Sequence, residues 1–310
     1  MSEPIVVGLL AATVSTATPF LLAGLGELMV ERSGVLNLSV EGLLLWGAFS
    51  AYVVALITGD PWLGVLVAAA SALLFNLLFG ILIITFHLDQ IIIGISLNIL
   101  ILGTTSYLYR IIVGFRPAVP TIPNPLPTMH IPFLGYLPIV GKALFSHNIF
   151  TYISIFMLPI LIYYFLTRTH VGLRIRAVGE NPLYATFMGI DVNRYRYSLL
   201  ALEGIMAGMA GSLYTLYINN LFLENMTGGK GFLIIALIIM GAWNPIFFLL
   251  TGLFFSFMSS FSYLLQVIGI DMPFQFTLLL PYLTAVILLT LAGRKVKPPF
   301  SLGKPFERVR

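Results

Sequence analysis

The chain has 310 residues, of which 59% are hydrophobic and 9% are charged, with a formal net charge of +4 and a mean hydropathy of +1.00. Soluble globular domains carry about 25% charged residues, so this composition excludes a soluble protein and indicates one whose apolar surface faces a bilayer. Cysteine is absent, which excludes disulfides and thiolate metal sites.

Apolar runs recur from end to end and predict an all-α polytopic membrane protein with about nine transmembrane helices, in a range of about eight to ten. Residues 1–25 lack the basic region and cleavage site of a signal peptide and are interpreted as the first span. The run 231–243 is too short to cross a core of about 30 Å, so it predicts a half-helix or a re-entrant segment. We expect residues 1–310 to form a single transmembrane domain. The predicted spans are 5–25, 37–57, 62–86, 91–113, 149–167, 197–218, 231–243, 245–267 and 274–292.

A polar segment, residues 24–42, separates the first two apolar runs and carries four glycines and four charged residues. Irregular backbone at membrane depth is tolerated where protein buries it or where it lines a water-filled path. The segment therefore predicts a broken helix beside a polar path through the bilayer. A plain loop, with the next helix beginning at Asn37, is the alternative. The candidate path residues here and on the fourth span are Glu31, Arg32, Asn37, Ser39, Glu41 and Asn98.

The loop 114–148 is rich in proline and poor in charge. Repeated proline disfavours a regular helix, so the loop is interpreted as an ordered cap or as an extended connector. Of the 16 Lys and Arg residues, 11 lie in the segment 168–196 and the tail 293–310. The positive-inside rule places both basic segments in the cytoplasm and the proline-rich loop outside. The prolines are Pro117, Pro120, Pro123, Pro125, Pro127, Pro132 and Pro138.

The segment 168–196 contains the pattern of a short helix. Asn181 is a good N-cap, Pro182 suits the first helical position, and Gly189 is a natural stop. The pairs Leu183/Phe187 and Tyr184/Met188 are spaced i,i+4 and therefore lie side by side. An isolated helix of two turns is unstable in water, so its apolar face needs a partner. The residues alone fit a groove on another protein or the membrane interface equally well.

The same segment resembles the coupling-helix loop of ABC importer permeases in the branched-chain amino acid/ribose/nucleoside superfamily. The matching residues are Gly179-Glu180-Asn181-Pro182, Tyr184-Ala185 and Gly189-Ile190. The resemblance implies that this helix docks into a cleft on a cytoplasmic ATPase and transmits ATP-driven closure to the membrane helices. The implied ATPase-coupling residues are Glu180, Asn181, Pro182, Leu183, Tyr184, Phe187, Met188 and Gly189.

Three other segments resemble the same superfamily, so that the resemblance spans nearly the whole chain. The first, Glu31 to Gly42, is similar to the ERSGVxNxxxEG signature of the nucleoside-type branch. The second combines Gly229-Lys230-Gly231-Phe232 with Gly241-Ala242-Trp243-Asn244-Pro245, and it departs from the family at Ala242, where a basic residue is common. The third, 299–308, is similar to the ending of permeases paired with basic-membrane-protein-type lipoproteins, which import nucleosides.

The resemblance implies a permease subunit of an ATP-driven importer in a prokaryotic plasma membrane, with a nucleoside as its small-molecule substrate. The same machine for a sugar, riboflavin or a branched-chain amino acid is the alternative. Implied partners are a cytoplasmic ATPase, a second homologous permease in a heterodimer or homodimer, and an extracytoplasmic binding lipoprotein. No nucleic acid is expected. We expect no cofactor on this chain, because ATP and Mg²⁺ belong to the ATPase.

No catalytic or metal site is expected from the residues. The P-loop pattern is absent, and the four histidines, His87, His130, His147 and His170, lack metal-ligand spacing. The sequence therefore does not favour an intramembrane enzyme. A stand-alone ion-coupled carrier would use buried carboxylates such as Glu41 and Glu203. Such a carrier would have no need for an exposed helix at 182–188.

Overall fold

The computed structural model describes residues 3–114, 119–130, 140–268, 274–293 and 297–306. The predicted all-α class is confirmed, with one pair of two-residue antiparallel strands added. In chain order the elements are α1 (Glu3–Arg32), α2 (Val40–Thr58), α3 (Pro61–Gly80, extended by the π-helical turn Ile81–Thr85), α4 (Gln90–Ile112), β1 (Met129–His130), α5 (Val140–Leu144), β2 (Ser146–His147), α6 (Ile149–Tyr152, joined by the π-helical turn Ile153–Met157 to α7, Leu158–Arg168), α8 (His170–Glu180), α9 (Pro182–Phe187), α10 (Val192–Leu213, extended by the π-helical turn Tyr214–Ile218), α11 (Lys230–Met240), α12 (Pro245–Val267) and α13 (Phe274–Gly293).

Seven helices among the described residues are long and apolar enough to cross a membrane, so the predicted total of about nine is not confirmed. The predicted span 231–243 is α11, whose 11 residues fit the expected half-helix. The predicted span 274–292 is the helix α13, which is not one of the seven. The seven are Pro4–Arg32, Val40–Thr58, Pro61–Thr85, Gln90–Ile112, Ile149–Arg168, Val192–Ile218 and Pro245–Val267.

The helix α10 lies at the centre of the bundle. It packs on α1, α2 and α3. Within its most apolar stretch of 18 residues, 78% of the residues are buried, whereas 22% are buried in the corresponding stretch of the peripheral helix α4. Glycines permit this close approach: a Cβ at Gly208 would overlap the carbonyl oxygen of Ala68, and one at Gly211 would overlap that of Leu44. Small residues at helix interfaces are the usual means of tight packing in membranes.

The broken helix predicted from Gly24 is wrong in its position, because α1 continues to Arg32. Gly24 and Gly26 lie inside the helix and serve packing. A Cβ at Gly24 would meet the Phe248 ring, and one at Gly26 would lie 3.1 Å from Glu203 Cα. The backbone leaves helical geometry only over 33–39, where Gly34 has a φ of +86°.

The basic segment 168–196 contains one helix that was not predicted and one helix boundary that differs from the prediction. The helix α8 was not predicted. It begins because the Thr169 side chain accepts a hydrogen bond from Gly172 N at 3.1 Å, and it buries Ile175 and Val178. The helix α10 begins at Val192, earlier than the predicted 197, because Asp191 caps it by accepting from Arg194 N at 3.1 Å.

The described part of the proline-rich loop is an ordered cap over one end of the bundle. The backbone of Ile122 donates to Asn220 O, and that of Leu126 donates to Leu216 O, both at 2.9 Å. Tyr52 donates from its hydroxyl to Pro120 O at 2.7 Å. The expectation of no regular helix is wrong for the short α5, whose stretch lacks proline. Pro117, Pro132 and Pro138 lie outside the described residues.

Candidate functional site

Asn37 is the centre of a buried polar network that joins the irregular segment 33–39 to α1, α3 and α10. Its side-chain amide donates to Asn76 Oδ1 at 2.8 Å and to both carboxylate oxygens of Glu203 at 2.9 and 3.0 Å. Its backbone N–H donates to Glu27 Oε1 at 3.1 Å. Ser39 donates to Asn37 Oδ1 from its hydroxyl at 2.5 Å. All these side chains are almost fully buried, so the network fixes the irregular backbone of 33–39 in the protein interior.

Glu41 binds the beginning of α11. Its two carboxylate oxygens accept from Gly229 N at 2.8 Å and from Gly231 N at 2.6 Å. These N–H groups belong to a helix N-terminus, where negative charge is stabilised by unpaired donors and by the helix dipole. A Cβ at Gly231 would overlap the Glu41 backbone. The segment Glu31 to Gly42 and the segment that begins at Gly229 thus meet at one contact.

Glu31 and Arg32 connect the end of α1 to the turn between α11 and α12. The Trp243 indole N–H donates to Glu31 Oε2. Arg32 donates from Nε to Trp243 O at 2.9 Å. Asn98 instead fixes the start of α2, accepting from Gly42 N and donating to Leu38 O, both at 2.7 Å.

The six predicted path residues therefore all hold the 31–42 segment in place, but they do so at four different contacts. Glu27 is a buried member of the network that the sequence interpretation missed. A signal was present, because Glu27 stands four residues before Glu31 and therefore on the same face of α1. Asn76 and Glu203 complete the network from helices distant in sequence.

The short helix predicted after Asn181 is present as α9. Asn181 Oδ1 accepts from Tyr184 N at 3.1 Å, Pro182 occupies the first turn, and Gly189 has a φ of +77°. The side chains of Tyr184, Phe187 and Met188 are 66%, 71% and 83% exposed, and Leu183 is 36% exposed. Glu180 is exposed and is also the last residue of α8. A contiguous apolar face at the protein surface is typical of an interaction site.

The base of α9 is attached to the end of α1 and to the tail. A Cβ at Gly179 would overlap the Arg32 carbonyl oxygen. Ser301 donates to Gly179 O from its backbone at 3.0 Å and from its hydroxyl at 2.6 Å. Phe306 packs behind α9 on a small buried cluster of Val178, Ala185 and Val192. The exposed face of α9 is thus carried on a rigid support.

A groove of about 630 Å³ runs beside the end of α9 toward α10. Charged side chains of both signs line it, including Arg174, Asp191 and Arg194, together with the apolar Met188. Polar rims around exposed apolar side chains are usual in protein interfaces.

Two titratable groups lie near the opposite, capped end. The pKa of Glu224 is lowered by its hydrogen bonds from Arg110, which joins it in a bidentate pair with both distances at 3.1 Å. Burial lowers the pKa of the His147 imidazole. Its Nε2 lies 2.7 Å from Ala143 O and its Nδ1 lies 2.9 Å from the Tyr217 hydroxyl. Across the described residues, no group of three or more His, Asp or Glu side chains is placed to hold a metal ion.

Comparison with known proteins agrees with this architecture. The family model described as "Branched-chain amino acid transport system / permease component" matches residues 9–291. A guanosine ABC transporter permease protein of Bacillus subtilis, NupQ, is 35% identical over 95% of both chains. A nucleoside ABC transporter permease protein of Lactococcus lactis, NupC, is 31% identical over 91% of both. A putative glucose ABC transporter permease protein of Haloferax volcanii, TsgC13, is 38% identical over 77% of this chain and 71% of its own.

No solved structure is significantly similar to the chain. The family match covers most of the sequence, and the bundle of membrane-crossing helices fits a multi-pass transport component of a prokaryotic plasma membrane. In this family such a component works with an ATPase and a substrate-binding partner. The chain belongs to the family of permease components of branched-chain amino acid-type ABC transport systems.

Proposed function

We propose that the chain forms the translocation path for nucleosides in an ATP-driven importer, and that α9 receives the movement of the ATPase. The observation that carries the coupling role is the exposed apolar face of Tyr184, Phe187 and Met188 on a rigidly supported helix. An exposed helix of six residues is stable only with tertiary support. Here the support lies on one face and leaves the other free for an apolar groove on a partner.

A contact chain runs from α9 into the bundle. Gly179 abuts the Arg32 carbonyl, and Arg32 donates to Trp243 O. Trp243 in turn donates to Glu31. A displacement of α9 would therefore act on α1 and on the turn between the half-helix α11 and α12. Glu27 joins α1 to the irregular segment at Asn37, and Glu41 joins the start of α2 to the other end of α11. The coupling and path residues therefore form one connected system.

Orientation follows from the basic segments. The segment 168–196 and the described part of the tail lie at one end of the bundle, since Ser301 bonds to Gly179. The cap of 119–130 lies at the other end of α10, bonded to Leu216 and Asn220. We place α9 and the tail in the cytoplasm and the cap outside, where a binding lipoprotein would deliver substrate. A second permease, identical or homologous, would supply the other half of the path.

Two relatives that match more than nine-tenths of the chain are named as guanosine and nucleoside permeases, which supports a nucleoside as substrate. The relative named for glucose favours a sugar as the second candidate. A neutral nucleoside calls for hydroxyl, amide and aromatic groups along its path rather than a surplus of fixed charge. ATP and Mg²⁺ would be bound by the ATPase alone.

The test is ATP-dependent uptake of radiolabelled adenosine into vesicles that hold this chain with its ATPase, second permease and lipoprotein. Unlabelled nucleosides should compete, and ribose, glucose and riboflavin should not. Competition by glucose or ribose instead would support an ATP-driven importer and contradict a nucleoside as its substrate. Uptake that needs no ATP and collapses with the proton gradient would identify a secondary carrier and contradict the role of α9.

A further inference from the structure

The half-helix α11 is too short to cross the hydrocarbon core, so one of its ends lies inside the bilayer. Its 11 residues span about 16 Å, roughly half of a core of about 30 Å. Just beyond its far end, Trp243 contacts Glu31 and Arg32 at the end of α1. The turn 219–229 leads to its beginning from the capped end of the bundle. In transporters, half-helices that start near the midplane mark substrate sites.

Lys230, the first residue of α11, is a cation at this depth with spare donors. Its Nζ donates to Met226 O at 2.9 Å and lies 4.9 Å from the centre of the Tyr214 ring. Among the described residues, no carboxylate oxygen lies within 4.0 Å of it. An ammonium group has three N–H donors, so one carbonyl leaves two of them available. Ionisable groups at this depth are costly and are characteristically functional.

Two buried hydroxyls adjoin this lysine and have no hydrogen-bond partner within the described part of the chain. They are Tyr214 Oη, on a side chain 4% exposed, and Thr227 Oγ1, on a side chain 0% exposed. Thr227 lies in the same turn, since its carbonyl accepts from Lys230 N at 3.1 Å. A buried hydroxyl without a partner destabilises the fold. Tyr214 also begins a π-helical turn, a feature frequent at functional sites.

The local charge is balanced. Glu41 occupies the two backbone donors at the start of α11 and interacts electrostatically with Lys230. One carboxylate and one ammonium leave no net charge to attract an anion. The Lys230 ammonium offers donors only, whereas each hydroxyl can donate or accept. The lysine is therefore the group that favours a neutral ligand whose edge presents acceptors.

We propose that Lys230, Tyr214 and Thr227 form the point at which the path recognises the acceptor edge of a nucleobase, with 6-oxopurine nucleosides preferred over adenosine. Guanine and hypoxanthine present O6 and N7 acceptors side by side, whereas adenine replaces the first with an amino donor. An ammonium ion has no acceptor with which to satisfy that amino group. The proposal rests on the nucleoside function proposed above.

The test compares initial rates of ATP-driven uptake of labelled inosine and adenosine by the complete transporter in vesicles. The wild type should favour inosine by about tenfold, the effect of one charged hydrogen bond. Lys230→Met should bring the ratio close to one, and Lys230→Arg should restore most of it. Lys297→Met removes an exposed lysine of the tail and should leave the ratio unchanged.

An unchanged ratio in Lys230→Met, or a wild type that favours adenosine, would overturn the proposal while leaving a nucleoside importer intact. ATP-driven uptake of sugars without nucleosides would overturn the function itself. Should Lys230→Met fail to copurify with the ATPase, the isosteric Thr227→Val takes its place. It should lower the inosine preference severalfold, and an unchanged preference in that variant would equally contradict the assignment.

Discussion

Gly179 at the end of α8 lies directly against the carbonyl oxygen of Arg32 at the end of α1, with no room for a Cβ. It connects the segment that carries α9 directly to a helix of the bundle. Gly179→Val should separate the two ends and lower ATP-driven uptake by about tenfold, since overpacking costs about 1–3 kcal/mol. The measurement is uptake per inserted transporter.

Gly103→Ala is the matched control, because a Cβ there meets nothing within 4 Å. It should transport normally. Wild-type uptake by Gly179→Val would show that this contact carries no movement.

Phe187 should be needed for coupling and not for folding, since its side chain is 71% exposed. Phe187→Asp would place a charge in an apolar docking cleft, where an unpaired charge is costly. Uptake and substrate-stimulated ATPase activity should fall by about tenfold or more, with membrane insertion unchanged. Phe187→Leu, which keeps an apolar side chain, should retain most of the activity. If both variants transported like the wild type, the docking role of α9 would be wrong.

Glu41 should matter more than Glu224, although both carboxylates accept two hydrogen bonds. Glu41 accepts from two backbone N–H groups in the interior, and Glu224 forms an exposed pair with Arg110. Exposed ion pairs contribute little to stability, whereas buried donors left unpaired cost about 1–3 kcal/mol. Glu41→Ala should therefore reduce uptake strongly, and Glu224→Ala should reduce it little. Equal losses would contradict a path role for Glu41.

Asn37→Asp should destabilise the fold, because it adds a third carboxylate beside Glu27 and Glu203 and removes an amide donor from the network. An uncompensated buried charge costs about 3–5 kcal/mol. The check is thermal unfolding of the purified protein in detergent. Asn225→Asp, at an exposed position, provides the comparison and should unfold at the wild-type temperature. Equal unfolding temperatures for both variants would show that the network is not structural.

His147 should make the capped end sensitive to acid. Burial lowers the pKa of its imidazole below the ordinary 6.5, so the folded state favours the neutral ring that accepts from Tyr217. Stability from this group is complete above the unfolded pKa and is lost as pH falls from about 6.5 through the lowered folded pKa. Unfolding temperature measured between about pH 7 and pH 5 should therefore fall more for the wild type than for His147→Asn. Parallel curves would contradict this role.

The predicted elements that hold are those specified by neighbouring residues. Asn181-Pro182 and Asn244-Pro245 each place a capping side chain before a proline, and a helix begins at both. The missed elements depend on distant partners. The continuity of α1 through Gly24 and Gly26 requires Phe248 and Glu203 to pack against those glycines. The helix α8 was missed because its basic residues masked the apolar pattern in the sequence. Its buried residues Ile175 and Val178 make their contacts with other elements.

The candidate path residues illustrate the same limit. The polar character of 31–42 pointed to a segment with buried polar contacts, because charged and amide side chains are rare in apolar spans, and its role in a path stays a prediction. Their partners could not be read from the sequence. Glu203 reaches Asn37 from α10, and Glu41 reaches Gly231 across 190 residues of chain. Only packing decides which buried donors meet which acceptors.

The most direct test of the central claim uses the absence of cysteine from the chain. Met188 lies at the end of α9 and is 83% exposed. The variant Met188→Cys gives the chain a single thiol, to which a photoactivatable crosslinker can be attached in the assembled transporter. We predict a crosslinked product between this chain and the ATPase, and we expect its yield to change when ATP is added. Tyr263 is exposed on α12, and the same crosslinker attached to Tyr263→Cys should give no product with the ATPase. Products with lipid alone at position 188 would contradict the coupling role of α9.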